Sequence, residues 1–325
     1  MTSPNQLSPM SLPMSTAECE LPFDLTWDDL AIALPDITGR GTARVSHLKR
    51  GTHQGGHPSA IMTLSYVGKG GQSHDRTLFF KHGPDDSREA DCYRFLIERG
   101  LAVPDMAVSV DRSDGEVLGL EFLPSIGIGP VVVDDVLQLV ATLNSLTDAP
   151  AVVTTLPPGM PQPAFEQVLA AALVKIDHSW PELEPAGWLG RYREAIRDYA
   201  KLPRALTHGE LAPQQIGRTE GDRLVMFDLA TVGERPRFAD LATLLPVLSR
   251  LAGEDTLSIL NRYLRQLAEG GQTCTTERAW AELRLTRFVQ GVEALPWQID
   301  LNETADLQHH VVTIADDFAA LAGDR

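Results

Sequence analysis

The sequence predicts an α+β chain in which a small antiparallel sheet with one main helix precedes a larger, mostly helical part. Three observations lead to this expectation. Short β-prone runs separated by glycine-bearing turns fill residues 43–81. Apolar residues recur with helical spacing from residue 132 onward. A single polar loop at residues 207–216, followed by a β-ribbon, interrupts the helical half.

Length and composition favour one large or two medium domains with a sizeable core. The chain has 325 residues, of which 43% are hydrophobic and 22% charged. No apolar run approaches the roughly 18–20 residues of a membrane span, so no membrane partner is expected. Residues 1–20 begin rich in Ser and Pro, without a basic start or an apolar core, and we expect a disordered lead rather than a secretory signal. Three scattered cysteines favour a reducing, cytoplasmic setting.

The charge balance is strongly acidic. The formal net charge is −16, from 28 basic and 44 acidic residues. Such a field disfavours nucleic acid as a partner and attracts a cationic small molecule. Acidity also aids solubility, which explains the same excess without any ligand.

The small part begins with three predicted strands, residues 43–48, 60–66 and 77–81, that form a meander. The turn between the first two contains Gly55 and Gly56. Glycines let backbone N–H groups approach phosphates, but a plain hairpin turn explains these two residues equally well.

Lys81 ends the third predicted strand, and a helix follows from Ser87, with Glu89 in its first turn. Residues 106–110 and 117–122 then form a hairpin. A strand lysine followed by an early helix glutamate is the ion-pair arrangement of kinases, in which the lysine holds phosphates and the glutamate orients it. Each residue alone is more often a solvated surface charge.

The larger part contains seven segments of predicted helix, separated by a Pro-rich link at residues 150–163 and by the polar loop. These helices cover residues 132–143, 165–176, 188–202, 238–251, 258–269, 277–295 and 307–321. Asp240 lies at the start of the fourth of them, where a simple cap or a partner of the helix dipole would explain it.

The polar loop carries the chemistry. His208, Gly209 and Glu210 open it, Gln215 closes it, and Asp228 follows a predicted hairpin of residues 216–218 and 224–227. Such a ribbon brings Glu210, Gln215 and Asp228 together. An acid, an amide and a second acid at one point suit a Mg²⁺-nucleotide phosphotransfer site.

This stretch resembles the catalytic loop of the aminoglycoside phosphotransferase (choline kinase-like) family, whose pattern is H-G-D-x-x-x-x-N followed by an aspartate and a D-L-A helix start. The ordered resemblance covers roughly residues 43–300. It implies a two-lobed protein-kinase-like fold. Two positions depart from the pattern: Glu210 replaces the usual Asp, and Gln215 replaces the usual Asn. Each departure keeps the functional group and adds one methylene.

The resemblance implies roles for the residues that match it. ATP or GTP with Mg²⁺ would be the cofactor and would lie between the domains. Residues 21–122 would form the nucleotide-binding lobe, 123–130 the hinge and 131–325 the catalytic and substrate lobe. By this resemblance, Lys81, Glu89, Gly55 and Gly56 would lie at the phosphates, and the Glu121 carbonyl and the Leu123 N–H would contact the adenine edge. Gln215 and Asp228 would bind the metal. Glu210 would act as the base, His208 would support the loop, and Asp240 would brace it.

Several functions stay open at this point. The first is transfer of the γ-phosphate to a hydroxyl of a small molecule, such as an aminoglycoside, another antibiotic or a metabolite. The second is a nucleotide-binding pseudokinase, because misplacing a catalytic group by about 1 Å can cost about 10²-fold in rate. The third is a kinase that acts on peptide Ser or Thr. A monomer and a homodimer are both compatible with the sequence.

Overall fold

The computed structural model describes residues 21–33, 43–52, 57–67, 71–84, 87–123, 132–155, 162–219, 221–301 and 304–323. The chain forms two compact units. The first contains residues up to Gly83 together with Ala107–Gly119, and the second contains Pro84–Met106 and Leu120–Arg325. The second unit thus includes the first long helix, which the sequence grouped with residues 21–122. The predicted lead at 1–20, Gly55 and Gly56, and all of the predicted hinge except Leu123 lie outside the described residues.

The first unit is built on an antiparallel sheet whose strand order is β1-β2-β3-β5-β4. The strands are β1 (Ala43–Thr52), β2 (Pro58–Val67), β3 (Ser73–His82), β4 (Met106–Arg112) and β5 (Gly115–Glu121), preceded by a short helix α1 (Trp27–Ala33). In β2 and β3, Met62, Leu64, Leu78 and Phe80 are fully buried. The sheet thus buries one face against the residues around α1. The meander and the 106–122 hairpin are confirmed.

The second unit is mostly helical. Its helices are α2 (Glu89–Glu98), α3 (Val133–Ser145), α4 (Ala151–Thr154), α5 (Gln162–Ser179), α6 (Trp188–Tyr199), α7 (Ala239–Ala252), α8 (Thr256–Glu269), α9 (Thr276–Leu301) and α10 (Thr304–Gly323). Helices α5, α6, α9 and α10 share one core, centred on Trp188, Tyr192 and Phe288. In the part of the chain that the structure describes, no helix has both the length and the apolar character needed to cross a membrane.

Two short ribbons interrupt these helices. Strand β6 (Arg204–Thr207) pairs with β9 (Gly233–Pro236), and β7 (Ile216–Arg218) pairs with β8 (Leu224–Met226). The β7–β8 hairpin is the one that the sequence predicts, whereas the β6–β9 ribbon has no signal in the sequence. Both ribbons are antiparallel, and together they frame residues 208–215.

Many element boundaries differ from the predicted ones; in the sheet, β1 ends four residues later and β3 begins four residues earlier than predicted. Helix α2 begins at Glu89, and Arg88 rather than Ser87 occupies its cap position. The predicted Pro-rich link contains the one-turn helix α4. Helix α9 continues past Leu295 through Pro296 to Leu301. Tertiary packing extends or shifts these ends, because local propensity is weak compared with burial.

Candidate active site

The loop after β6 is held by one carboxylate. Asp240, in the first turn of α7, is 1% exposed. Its Oδ2 accepts the backbone N–H of His208 and its Oδ1 accepts that of Gly209, both at 2.9 Å. A carboxylate that accepts two backbone donors makes strong, charge-assisted hydrogen bonds. Asp240 therefore braces the loop, whereas the N-cap position of α7 is occupied by Phe238.

The His208 side chain connects the loop to the segment that carries Asp228. His208 is fully buried, and its Nε2 lies 2.8 Å from the carbonyl oxygen of Phe227. Because a carbonyl only accepts, Nε2 carries the proton and the ring is fixed in one orientation. The hydroxyl of Thr231 donates to the carbonyl of His208 at 3.0 Å. The loop and the 227–231 segment therefore hold each other in place.

The β7–β8 hairpin brings Gln215 next to the residues that precede Asp228. The N–H of Phe227 donates to the carbonyl of Gln215 at 3.0 Å, directly beside the pair Ile216 and Met226. The two predicted metal-binding positions thus belong to the two ends of one hairpin. A ribbon of this kind needs only the turn at residues 219–223 to set its register.

The side chain of Gln215 already has a partner. Gln215 is 6% exposed, and its Oε1 accepts the backbone N–H of Ala212 at 3.0 Å. This bond closes the turn Pro213–Gln215. An amide oxygen has two lone pairs, so one remains for a second partner. The predicted role of Gln215 at the metal stays a prediction.

Asp228 adopts an unusual backbone conformation. Its φ of 66° and ψ of 60° lie in the left-handed region, which costs a non-glycine residue roughly 1–2 kcal/mol. The N–H of Asp228 donates to the hydroxyl of Tyr93 at 3.2 Å, and the N–H of Leu229 donates to Oε1 of Glu89 at 3.0 Å. Strain that neighbouring side chains hold in place is typical of functional sites.

Helix α2 supplies these partners. Arg88, at its cap, donates to the carbonyls of Val152, Val153 and Val232. Glu89 is 3% exposed, and Tyr93 is fully buried. Burial, reinforced by the charge of Glu89, raises the pKa of Tyr93 well above its usual value, so the phenol stays protonated. The start of α2 is therefore fixed to the 228–232 segment by side chains from three of its positions.

Arg235 is a partly buried cation beside the loop. Gly209 has a φ of +96°, and a Cβ built there would lie 2.4 Å from Nη1 and 2.6 Å from Cζ of Arg235. The guanidinium donates from Nη1 to the carbonyl of Thr231 at 2.8 Å. Burial lowers the pKa of Arg235, and the negative charges of Asp240 and Glu210 act in the opposite direction. Gly209 is required here both by its φ and by this close approach.

For the remaining predicted site residues, the structure gives their location, burial or backbone hydrogen bonds. In the first unit, Lys81 lies in β3 opposite Ser59 and is 7% exposed. In the second unit, the N–H of Glu121 donates to the carbonyl of Asp105 at 2.8 Å, and Glu210 is exposed to solvent. The nucleotide-binding roles of Lys81, Glu89, Glu121 and Leu123 stay predictions.

A set of functional candidates has no signal in the sequence. Tyr93, Thr231 and Arg235 contact the loop or the Asp228 segment through the tertiary fold. Glu293 on α9 is a further, partly buried acid, which accepts a hydrogen bond of 2.9 Å from the hydroxyl of Tyr192. None of them belongs to a spacing pattern, and single polar residues of this kind resemble any surface or core residue when only the sequence is known.

Sequence comparisons identify no relative. No protein-family model matches the chain, and no curated protein matches it.

Solved structures resemble the chain throughout its length. A GDP complex of an aminoglycoside 2'-phosphotransferase of type IIIa has a TM-score of 0.56 and 13% identity, with 92% of this chain and 98% of that chain covered. A choline kinase from Cryptosporidium parvum has a TM-score of 0.54 and 13% identity, with 91% and 96% covered. A choline kinase from Streptococcus pneumoniae has a TM-score of 0.52 and 12% identity, with 86% and 94% covered. The chain thus has the two-lobed, protein-kinase-like fold of aminoglycoside phosphotransferases and choline kinases.

Proposed function

We propose that this chain is an ATP-dependent phosphotransferase that moves the γ-phosphate to a hydroxyl of a small molecule. The observation that carries the proposal is the hydrogen bond of 2.8 Å between His208 Nε2 and the carbonyl of Phe227. This bond ties the loop that bears Glu210 to the residue before Asp228. Phosphoryl transfer depends mainly on positioning and on charge neutralisation, and a fixed loop of this kind supplies the positioning.

The donor set near Asp228 fits a magnesium–nucleotide complex. Asp228 offers a carboxylate, and Gln215 offers the second lone pair of its amide oxygen. Mg²⁺ takes oxygen ligands, often only one or two from the protein, and completes its octahedron with phosphate and water. The described residues contain no group of three or more His, Cys, Asp or Glu side chains that could hold a metal ion. When bound, Mg²⁺ would neutralise charge on the nucleotide phosphates.

The chain's own residues would divide the remaining work. Glu210, whose carboxylate is exposed to solvent, would orient the acceptor hydroxyl and accept its proton. His208 and Asp240 would hold the loop that carries it. Lys81 would hold the nucleotide phosphates and Glu89 would orient Lys81, as the sequence predicts from a strand lysine followed by an early helix glutamate.

The structural neighbours suggest which nucleotides and which acceptors to test. One neighbour was solved with GDP and another, a spectinomycin phosphotransferase, with ADP and spectinomycin. ATP and GTP are therefore both to be tried as donors. Other neighbours are named choline and ethanolamine kinases, and the net charge of −16 also favours a cationic acceptor.

A second candidate is a nucleotide-binding protein without turnover. The hydrogen bond from the Ala212 N–H to Gln215 Oε1 favours it, because that oxygen already has a structural use. Glutamate at position 210 adds one methylene to the base that the family pattern contains. A shift on the order of 1 Å in a catalytic group can reduce the rate by about 10²-fold.

The test separates these functions in two stages. Thermal shift with Mg-ATP and Mg-GTP measures binding, and phosphate transfer to aminoglycosides, choline, ethanolamine and a Ser/Thr peptide measures turnover. The proposal predicts stabilisation by nucleotide and transfer to one class of small molecule. Stabilisation without transfer supports the second candidate, and transfer to the peptide alone would replace the small-molecule proposal. The absence of any shift contradicts both candidates.

A paired substitution examines the two departures from the family pattern. Glu210→Asp combined with Gln215→Asn shortens both side chains by one methylene. If the loop is tuned to the longer side chains, this double variant is slower than the wild type. A faster double variant would instead indicate a site that has lost activity.

A further inference from the structure

Arg235 lies against the backbone of the residue that precedes Glu210. The ideal Cβ position of Gly209 lies 2.4 Å from Nη1, 2.6 Å from Cζ and 2.7 Å from Nη2 of Arg235, so the guanidinium covers the Cα of Gly209. Only a glycine leaves this space. The next residue along the chain is the one that we propose as the base.

The guanidinium is anchored at one end only. Its Nη1 donates to the Thr231 carbonyl at 2.8 Å and to the Thr207 hydroxyl at 3.4 Å. Its Nε and Nη2 donate to no other residue that the structure describes, and neither atom is among the fully buried atoms without a partner. Arg235 therefore keeps donors that a further acceptor could use.

Charge complements this geometry. The negative charges of Asp240, Glu210 and Glu293 all favour the Arg235 cation. Asp240 already binds the N–H groups of His208 and Gly209. No ion pair within 4.0 Å is found for Arg235 among the described residues, so its charge is balanced at longer range. Arg88 faces it as a second cation, and that cation is bound to backbone carbonyls.

Glu210 needs such a partner more than a shorter acid would. A glutamate side chain has three rotatable bonds and loses considerable rotamer freedom when it is fixed. The planar fork of an arginine binds a carboxylate with defined geometry, unlike the point charge of a lysine. A fixed guanidinium beside the loop would limit the orientations that the Glu210 carboxylate adopts.

We propose that Arg235 is a positioning residue for Glu210: its guanidinium, packed against Gly209 and beyond ion-pair distance, attracts the Glu210 carboxylate and limits the directions in which that carboxylate points. The inference rests on the proposed function, because it concerns the base of that reaction. Arg235 acts through Glu210 and is not itself placed at the transferred phosphate. Substituting Arg235 should therefore lower the rate constant and leave nucleotide affinity nearly unchanged.

The first experiment is a double-mutant cycle on Mg-ATP hydrolysis, with water as acceptor, in the full chain. The variants are Arg235→Met, Arg235→Lys, Glu210→Gln and the Arg235→Met/Glu210→Gln double variant. Arg204→Met is the matched control, because Arg204 is an exposed arginine on the same ribbon that donates to the carbonyl of Glu234.

The expected result is a fall of about 10–100-fold in kcat for Arg235→Met, with KM for ATP within about 2-fold of wild type. Arg235→Lys should be intermediate, and Arg204→Met should match the wild type. In the double variant, kcat should equal that of Glu210→Gln alone, because two residues that act as one unit are not additive. Multiplied losses, or an unchanged kcat in Arg235→Met, would overturn the inference.

A second measurement does not need turnover. Urea unfolding of the wild type, Arg235→Met, Glu210→Gln and the double variant yields the coupling between positions 235 and 210. Non-additive effects on the free energy of unfolding support an interaction between Arg235 and Glu210, and additive effects overturn the inference. If the wild type neither binds nor hydrolyses Mg-ATP, the proposed function fails, and this cycle alone decides whether Arg235 holds Glu210.

Discussion

The carboxylate of Glu89 accepts a hydrogen bond of 3.0 Å from the backbone N–H of Leu229. Leu229 directly follows Asp228, whose own N–H donates to Tyr93, one helical turn beyond Glu89. The residues of α2 therefore fix the backbone that presents the Asp228 carboxylate. Within the second unit, Glu89 has a structural role that is separate from any contact with phosphate.

This role makes a prediction for position 89. Glu89→Ala leaves the buried N–H of Leu229 without a partner and should lower the free energy of unfolding by about 2 kcal/mol or more. Glu89→Gln keeps an amide oxygen that can accept the same hydrogen bond and should cost less than half as much. Urea unfolding checks both variants. Equal losses for the two variants would show that the charge of Glu89, rather than this bond, sets its contribution.

The brace at Asp240 makes a second prediction. Asp240→Asn offers only one oxygen to two N–H donors and sets an NH₂ group against the other, so it should destabilise by about 2–3 kcal/mol. Asp255→Asn is the control. Asp255 is the N-cap of α8 and accepts the N–H of Ser258, a role that Asn fills equally well, so it should cost under about 0.5 kcal/mol. Similar losses at both positions would contradict the brace.

Gly209 gives a third prediction. Gly209→Ala adds a Cβ within 2.7 Å of the Arg235 guanidinium at a φ of +96°, and should destabilise by about 1–3 kcal/mol. Gly190→Ala, inside α6 with no atom within 4 Å of its Cβ, should instead stabilise by about 0.5–1 kcal/mol. Thermal unfolding should therefore move in opposite directions for the two variants. A stable Gly209→Ala would show that Arg235 moves aside without cost.

Glu293 makes a prediction about pH. Burial raises its pKa above the usual 4.5, although the Tyr192 hydroxyl and the Arg235 charge act against this. A carboxyl group whose pKa is raised on folding stabilises the protein below its unfolded pKa, and this contribution is lost as pH rises through the folded value.

Glu293→Gln removes that titration and retains an oxygen for Tyr192. The stability of the variant relative to wild type should therefore increase as pH rises from about 4.5 toward neutrality. Urea unfolding at several pH values measures this difference. A difference that is constant across the range would show that Glu293 titrates with its ordinary pKa.

The sequence was sufficient for the elements whose signals are local. The β7–β8 hairpin follows from two β-prone runs around the turn at residues 219–223, and the amphipathic helices follow from apolar spacing. The sequence also predicts that Glu210, Gln215 and Asp228 come together, and the structure joins the backbone of Gln215 to that of Phe227, the residue before Asp228. The structural neighbours confirm the fold that this order implied.

The contacts that fix the loop could not be predicted in the same way. Asp240 meets His208 across 32 residues, and Glu89 meets Leu229 across 140. Gln215 differs, because its contact is local: its side-chain oxygen accepts the N–H of Ala212, three residues earlier. The metal-binding pattern to which Gln215 belongs does not indicate this hydrogen bond. Such pairings depend on which elements pack together, and neither periodicity nor composition encodes that.

Calorimetric titration of ATP into the wild type and Asp228→Asn, each with and without Mg²⁺, measures directly whether this loop binds a magnesium–nucleotide complex. We expect the wild type to bind ATP at least about 10-fold more tightly with Mg²⁺ than without it, and Asp228→Asn to lose most of this difference. Binding that does not depend on Mg²⁺, or a dependence that survives in Asp228→Asn, would contradict the assignment of this loop as a magnesium–nucleotide site.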